Sequence, residues 1–153
     1  MIRVMFVCHG NICRSPMAEF VFRSMVKNHG LEDVIKAASA ATSTEEIGNP
    51  VHRGTRQKLL EHGISPEGKT AVRLTKSDYD RYDYLVGMDS ANIRNMRAIT
   101  GGSDKIYKLL SFAGIDRDVA DPWYTGDFDK TYDDIMTGCG ALLEKLEGEL
   151  DVR

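Results

Sequence analysis

Residues 2–16 read IRVMFVCHGNICRSP, which is an apolar run, then a short polar loop, then the start of a helix. The run from Ile2 to Val7 is nearly continuous and contains branched side chains, as is typical of a strand covered on both faces of its sheet. Ser15 and Pro16 indicate a helix start, with Ser15 as the N-cap and Pro16 as the first helical residue. The sequence therefore predicts a strand–loop–helix unit here.

The rest of the chain continues this alternation of strand and helix patterns. Apolar segments predict further strands at 34–40, 84–88 and 106–110, and periodic apolar positions predict helices at 16–29, 55–62, 90–99 and 130–147. This order predicts right-handed crossovers and an open parallel sheet in an α/β domain with helices on both faces. Because such sheets bind ligands at the carboxyl ends of their strands, the loop after Val7 is where we expect the chemistry.

Composition limits the possible partners and location of the protein. The chain has 153 residues, 42% of them hydrophobic and 28% charged, which predicts one globular domain over residues 1–153. Its formal net charge of −3 disfavours broad nucleic-acid binding. No apolar run approaches the ~20 residues of a membrane span, and no signal pattern opens the sequence, so we expect a cytoplasmic protein without a membrane partner.

We expect a monomer. The segment from Asp78 to Tyr84 is dense in Asp and Tyr and offers a surface for weak self-association or regulation. The interpretation we favour is a solvated connection that leads into the third strand.

The chain contains three cysteines, Cys8, Cys13 and Cys139. An odd count without a signal sequence disfavours a disulfide framework and favours thiol chemistry. We expect neither a metal nor a cofactor, because Cys8, His9 and Cys13 have no second cluster that would complete a zinc site.

The loop from residue 8 to residue 15 has the parts of a phosphate site. Backbone N–H groups of a tight loop and of a helix N-terminus form a concave anion site. Arg14 adds a permanently charged fork, and Gly10 and Asn11 tolerate unusual backbone angles. The same surroundings stabilise a thiolate at Cys8, which could attack a bound phosphoryl group.

Two further interpretations concern this loop. Ser15 could hydrogen-bond the Cys8 sulfur and ease its departure from a phosphocysteine. The alternative is that Cys8 is a small buried apolar residue and Arg14 a surface charge.

Residues 7–16 resemble the signature loop of the low-molecular-weight protein tyrosine phosphatases. Further segments resemble that family in the same order: residues 39–43, 48–50, 62–64, 88–92 and 121–124. The resemblance implies a four-stranded parallel sheet, in a three-layer domain, and a phosphocysteine mechanism without metal. It also implies that the loop residues His9, Gly10, Asn11, Ile12, Cys13 and Ser15 bind the phosphate.

The resemblance also implies a general acid. It assigns this role to Asp121, followed by Pro122, whereas composition alone cannot choose among 23 acidic residues. Without the resemblance, the interpretation of Asp121-Pro122 that we favour is an ordinary turn. Trp123 and Tyr124 resemble the aromatic wall beside the family's pocket, although a lone Trp is often a core residue.

Other positions resemble or depart from the family. Asn11, Ser15 and Ser39 resemble the polar network that holds the family's loop in shape. Glu45 lies in the segment that forms the other wall of the family's pocket, about where many members have an aromatic residue, so the resemblance implies that it contacts substrate and we expect weaker use of acidic phosphopeptides. A histidine that buttresses the loop in many members is missing or replaced in the segment 68–71.

These features predict hydrolysis of phosphotyrosine, in proteins or small aryl phosphates, with release of inorganic phosphate. Arsenate reductase is an alternative on this fold, but no shuttle pair of cysteines accompanies Cys8. A phosphoarginine phosphatase is a second alternative, but Ile12 stands where those enzymes have Thr. A non-catalytic phosphate-binding module is a third, but it would be expected to lose Cys8, Arg14 or Asp121.

Cys13 is either a redox partner of Cys8 or a passive small residue.

Overall fold

A computed structural model describes residues 1–151. Its centre is a sheet of four parallel strands: β1 (Ile2–Cys8), β2 (Ile35–Ala41), β3 (Tyr84–Gly87) and β4 (Ile106–Lys108). The strands lie in the order β2-β1-β3-β4. The predicted α/β fold with a four-stranded parallel sheet is confirmed.

Helices cover both faces of this sheet. They are α1 (Arg14–Asn28), α2 (Arg53–Glu61), α3 (Asp78–Arg81), α4 (Ser90–Thr100), α5 (Pro122–Thr125) and α6 (Phe128–Asp151), with a 3-10 turn at Leu109–Ala113. Along β1, Val4 and Phe6 face one apolar cluster, which includes residues of α1 and α6. Met5 and Val7 face a second cluster with Met96 of α4. Since both faces are covered, β1 is apolar at every position except Arg3, which is exposed.

The start of α1 differs from the prediction. The helix begins at Arg14 with Cys13 as the N-cap residue, so Ser15 is not the N-cap and Pro16 is the third helical residue. The Ser15 hydroxyl lies 3.0 Å from the Cys8 sulfur. The hydroxyl therefore serves the loop instead of capping the helix.

Three other segments also differ from the prediction. The fourth strand ends at Lys108, and the 3-10 turn that follows buries Leu109 and Leu110 against the core. The last helix starts earlier and ends later than predicted. The connection before β3 is not wholly solvated, because it contains α3 and buries Asp78, which accepts a hydrogen bond from the Thr75 amide at 2.8 Å. In residues 1–151, no helix has the length and apolar character needed to cross a membrane.

Candidate active site

A cavity of about 210 Å³ opens where β1 ends and α1 begins. It brings together residues from three separate segments of the sequence, namely Cys8, His9, Gly10, Ile12, Cys13, Arg14, Glu45, Glu46, Asp121, Trp123 and Tyr124. All of these except Glu46 were predicted as site residues. Glu46 adjoins Glu45, and its position next to a predicted wall residue was the only signal in the sequence.

Cys8 lies at the base of this cavity and is almost completely buried. Its sulfur accepts a hydrogen bond from the Ser15 amide at 3.4 Å, in addition to the contact with the Ser15 hydroxyl. Two groups of one helical residue thus hold the sulfur. Both can stabilise negative charge on it.

The loop around Cys8 turns several of its carbonyls toward neighbouring segments. The carbonyls of Cys8 and His9 accept hydrogen bonds from residues 42 and 43 at 3.0 Å, and that of Ile12 accepts one from the His52 amide at 2.8 Å. By contrast, within the part of the chain that the structure describes, the amides of residues 9 to 13 donate no hydrogen bond. Free amides beside a buried sulfur are suited to the oxygens of a bound anion.

Asn11 gives the loop its shape. It is the only non-glycine residue among residues 1–151 with a positive φ, at 57°, a conformation that Asn tolerates better than most residues. Its side-chain amide donates to Ser15 Oγ at 2.7 Å and to Ser39 Oγ at 2.9 Å. Gly10 does not adopt a positive φ, and a Cβ there would lie 3.4 Å from Glu46 Cγ, which is an ordinary van der Waals contact.

The network of Asn11, Ser15 and Ser39 extends further than predicted. Ser39 Oγ donates to Glu19 Oε1 at 2.6 Å, and Glu19 is buried on α1. The Asn11 side-chain carbonyl accepts from the Val72 amide at 3.1 Å. The sequence analysis missed Glu19. The only signal in the sequence is that this carboxylate lies among mostly apolar residues at the start of a helix.

The segment without the family's histidine contacts this network in other ways. Lys69 Nζ donates to the Ser39 carbonyl at 3.1 Å, and the Val72 amide contacts Asn11. Burial lowers the pKa of Lys69, while the charge of Glu19 acts in the opposite direction. A lysine and a backbone amide therefore occupy this side of the loop.

Arg14 is buried and held by fixed partners. Its Nη1 donates to Asp89 Oδ2 at 2.7 Å and to the Val119 carbonyl at 2.9 Å, and its Nη2 lies 3.5 Å from Asp121 Oδ2. Burial disfavours the charge, but the pKa of Arg14 is raised above its ordinary value by the negative charges of Cys8, Asp89 and Asp121. Sequence reasoning missed Asp89, which also caps α4 by accepting from the Asn92 amide.

Asp121 is the N-cap residue of α5 and lines the cavity. Its Oδ1 accepts from the Trp123 amide at 3.0 Å, which leaves Oδ2 directed toward Arg14. Trp123 and Tyr124 are 57% and 84% exposed, so the alternative of a core tryptophan is wrong. The Trp123 ring meets the edge of the His52 ring, with 5.5 Å between the ring centroids.

The three cysteines are all free and buried. Burial, together with the charges of Cys8 and Asp121, raises the pKa of Cys13 to about 12. Cys139 lies in the core, and burial raises its pKa as well. Among residues 1–151, no cluster of three or more His, Cys, Asp or Glu side chains is placed to hold a metal ion.

Glu45 lines the cavity from a different segment of the chain than Trp123 and Tyr124. Its Oε2 is 3.0 Å from His9 Nε2, and both side chains are more than half exposed. The structure thus places a carboxylate at the position where we expected one.

Comparison with known proteins agrees with this geometry. The family model described as low molecular weight phosphotyrosine protein phosphatase matches residues 3–152. The low molecular weight protein-tyrosine-phosphatase YfkJ of Bacillus subtilis is 44% identical over 97% of this chain and 98% of its own length. PtpA of Staphylococcus aureus, described by the same phrase, is 36% identical over 100% of this chain and 99% of its own length.

Solved structures give the same result. The crystal structure of YfkJ matches with a TM-score of 0.94 over 97% of this chain and 96% of its own. These matches define the class, since the chain is an enzyme of the protein-tyrosine-phosphatase type. More narrowly, it belongs to the low molecular weight phosphotyrosine protein phosphatase family.

Proposed function

We propose that this protein hydrolyses phosphotyrosine through a covalent phosphocysteine on Cys8. The observation that carries the proposal is the placement of the Cys8 sulfur, the free loop amides, Arg14 and Asp121 around one cavity. In the first step the Cys8 thiolate attacks phosphorus, and the bond from phosphorus to the tyrosyl oxygen breaks.

Arg14 and the loop amides bind the phosphoryl oxygens during this attack. A guanidinium fixed by Asp89 and by the Val119 carbonyl keeps its orientation before substrate arrives. Donors that are already in place stabilise developing charge without reorganisation, which is the most effective kind of electrostatic catalysis. These groups therefore favour the transition state over the bound substrate.

Asp121 transfers the protons. As the carboxylic acid it protonates the departing tyrosyl oxygen, and as the carboxylate it then takes a proton from the water that attacks phosphocysteine. In the second step the bond from sulfur to phosphorus breaks, and the hydrogen bonds from Ser15 stabilise the thiolate that leaves. The products are the tyrosine hydroxyl and inorganic phosphate.

The substrates that this cavity favours are aryl phosphates, either phosphotyrosine in proteins or small aryl esters. Trp123 and Tyr124 provide exposed aromatic surfaces beside the phosphate position, on which a substrate ring can stack. The proposed place of action is the cytoplasm, because a thiolate nucleophile requires an environment that keeps thiols reduced.

The test is hydrolysis of p-nitrophenyl phosphate and of a phosphotyrosine peptide in EDTA. Cys8→Ser should abolish turnover, and Asp121→Asn should lower kcat for the peptide roughly 100- to 1,000-fold, as loss of a general acid does. Asp116→Asn, an exposed acid five residues earlier, is the matched control and should retain wild-type activity. Full activity in Cys8→Ser would exclude the mechanism.

A further inference from the structure

A second and larger groove, of about 540 Å³, lies beside the active-site cavity. The two share Ile12, Glu46 and Trp123 as a common wall. Arg53 and Arg56, on the first turns of α2, line the groove but not the cavity. A ligand in the cavity can therefore extend past the shared wall into this groove.

Arg53 and Arg56 are exposed and three residues apart, so they lie on the same side of α2. Over residues 1–151, neither guanidinium takes part in an ion pair within 4.0 Å. Lys58 on the same helix, by contrast, pairs with Glu61 at 2.7 Å and also with Asp129. Two unpaired guanidinium groups beside a substrate cavity attract carboxylates.

The other charged groups of the groove do not neutralise this pair. Glu46 is engaged, because its Oε2 accepts from Asn49 Nδ2 at 2.6 Å. Lys69 is directed inward, where it donates to the Ser39 carbonyl, and Glu67 is an exposed acid. Arg53 and Arg56 are thus the cations of the groove that remain available to a carboxylate, because Lys69 is used elsewhere.

The active-site mouth has the opposite charge at another part of its rim. Glu45 lines the cavity but not the groove, and its side chain is 70% exposed. A peptide that crosses the mouth meets a carboxylate in one direction and two guanidinium groups in the other.

The start of α2 is held firmly against the active site. The His52 amide donates to the Ile12 carbonyl at 2.8 Å, and the His52 ring accepts from the Gly54 amide at 3.0 Å. The same ring stacks on Phe128 and makes a T-shaped contact with Trp123, with 5.5 Å between the ring centroids in each pair. The first turn of α2, which carries the two arginines, is therefore anchored to the phosphate loop through His52.

We propose that this groove is a subsite for an acidic side chain of the substrate, Asp or Glu, located on one side of the phosphotyrosine. The proposal rests on the function proposed above. Arg53 and Arg56 bind the carboxylate, and Glu45 disfavours acidic residues on the other side. The enzyme therefore selects phosphopeptides by the side on which their negative charge lies.

The experiment compares three phosphotyrosine peptides with glutamates before the phosphotyrosine, after it, or on neither side. For each enzyme the quantity measured is the ratio of kcat/KM for an acidic peptide to that for the neutral peptide. The wild type should prefer one of the two acidic peptides to the neutral peptide. Arg53→Glu combined with Arg56→Glu should lower the ratio for that preferred peptide roughly fivefold or more. Glu45→Gln should raise the ratio for the other acidic peptide.

The matched control is Arg94→Glu combined with Arg97→Glu. These residues are also exposed, three apart on a helix and outside both cavities, so the net charge changes equally and the ratios should not move. Unchanged ratios in the Arg53 and Arg56 variant, an equal loss in the control, or equal losses for both acidic peptides would overturn the subsite.

A binding measurement tests this subsite independently of the proposed reaction. Fluorescence polarisation of the three labelled peptides with the Cys8→Ser protein, with and without the arginine substitutions, measures recognition without turnover. If the wild type hydrolysed neither p-nitrophenyl phosphate nor the neutral peptide, the proposed function would fail. Loss of binding of one acidic peptide alone would still support the subsite, and binding that ignores the arginines would contradict it.

Discussion

Cys8 and Cys13 are two thiols of one loop in different surroundings. The Cys8 sulfur contacts both the amide and the hydroxyl of Ser15, whereas burial and neighbouring negative charge raise the pKa of Cys13 and keep it protonated. Peroxide should therefore oxidise Cys8 first, giving a sulfenic acid and hydroxide. Because sulfenic acid is uncharged, one cause of the raised pKa of Cys13 then disappears. Cys13 can next attack Cys8, forming a disulfide and releasing water.

We predict that peroxide inactivates the enzyme and that dithiothreitol restores most of the activity. In Cys13→Ser the fraction restored should fall severalfold, because the sulfenic acid is no longer captured and oxidises further. Cys139→Ala, which removes a core thiol that belongs to α6 and does not line the cavity, is the control and should recover as the wild type does. Complete recovery in Cys13→Ser would show that Cys13 does not protect Cys8.

At the scale of elements, the contact between α6 and the 3-10 turn depends on one glycine. A Cβ at Gly138 would lie 2.4 Å from Leu109 Cγ, and Leu109 is fully buried. Because the obstructing atom is a branch point in the core, the two elements would have to move apart. This helix begins at Phe128, which stacks on His52 next to the active site.

We predict that Gly138→Ala lowers the free energy of unfolding by about 1–3 kcal/mol, the usual cost of overpacking. Gly140→Ala is the matched control, because a Cβ there meets nothing within 4 Å and alanine favours the helix by up to about 1 kcal/mol. Urea unfolding of both variants measures the two effects. Equal changes of the same sign would contradict the packing explanation.

The elements were largely predictable because their signals are local. The apolar run of β1 and the glycine-containing loop after it indicate a strand and a phosphate site without knowledge of the partners. The start of α1 was not predictable, because the Ser15 hydroxyl is drawn to the Cys8 sulfur by the curvature of the loop. The 3-10 turn after β4 depends on its packing against α6, which no local pattern shows.

The residues that carry the chemistry of the site were predictable, whereas the residues that hold them in position were less so. Cys8 and Arg14 belong to one short segment, and Asp121 was found by resemblance alone. Asp89 and Glu19 were missed because their contacts join positions 75 and 20 residues apart, to Arg14 and Ser39 respectively. Pairings of that kind arise only when the fold brings the segments together.

At the scale of the whole molecule, one ion pair fastens the last helix to the segment that precedes Asp121. Arg117 donates from both of its Nη atoms to the two carboxylate oxygens of Asp134, each at 2.8 Å. This guanidinium holds the pKa of Asp134 below its ordinary value, although partial burial acts in the other direction. The pair therefore stabilises the fold when Asp134 is ionised.

The pH dependence follows from the direction of this shift. A lowered pKa in the folded protein gives stability that is present above the ordinary value, about 3.9, and is lost as the pH falls through the folded-state pKa. We predict that Asp134→Asn lowers Tm at pH 7. The difference in Tm between this variant and the wild type should become smaller below about pH 4. Asp133→Asn, an exposed neighbour, should change Tm little at either pH. A difference independent of pH would show that the ion pair is not the cause.

The left-handed conformation of Asn11 has a consequence for the energetics of binding. Its side chain is anchored to Ser15, Ser39 and Val72, so the conformational entropy of this position is given up when the chain folds. An anion that enters the loop therefore orders little protein on arrival. Small phosphate esters can for this reason be bound in a reactive position, although they make few contacts with the protein.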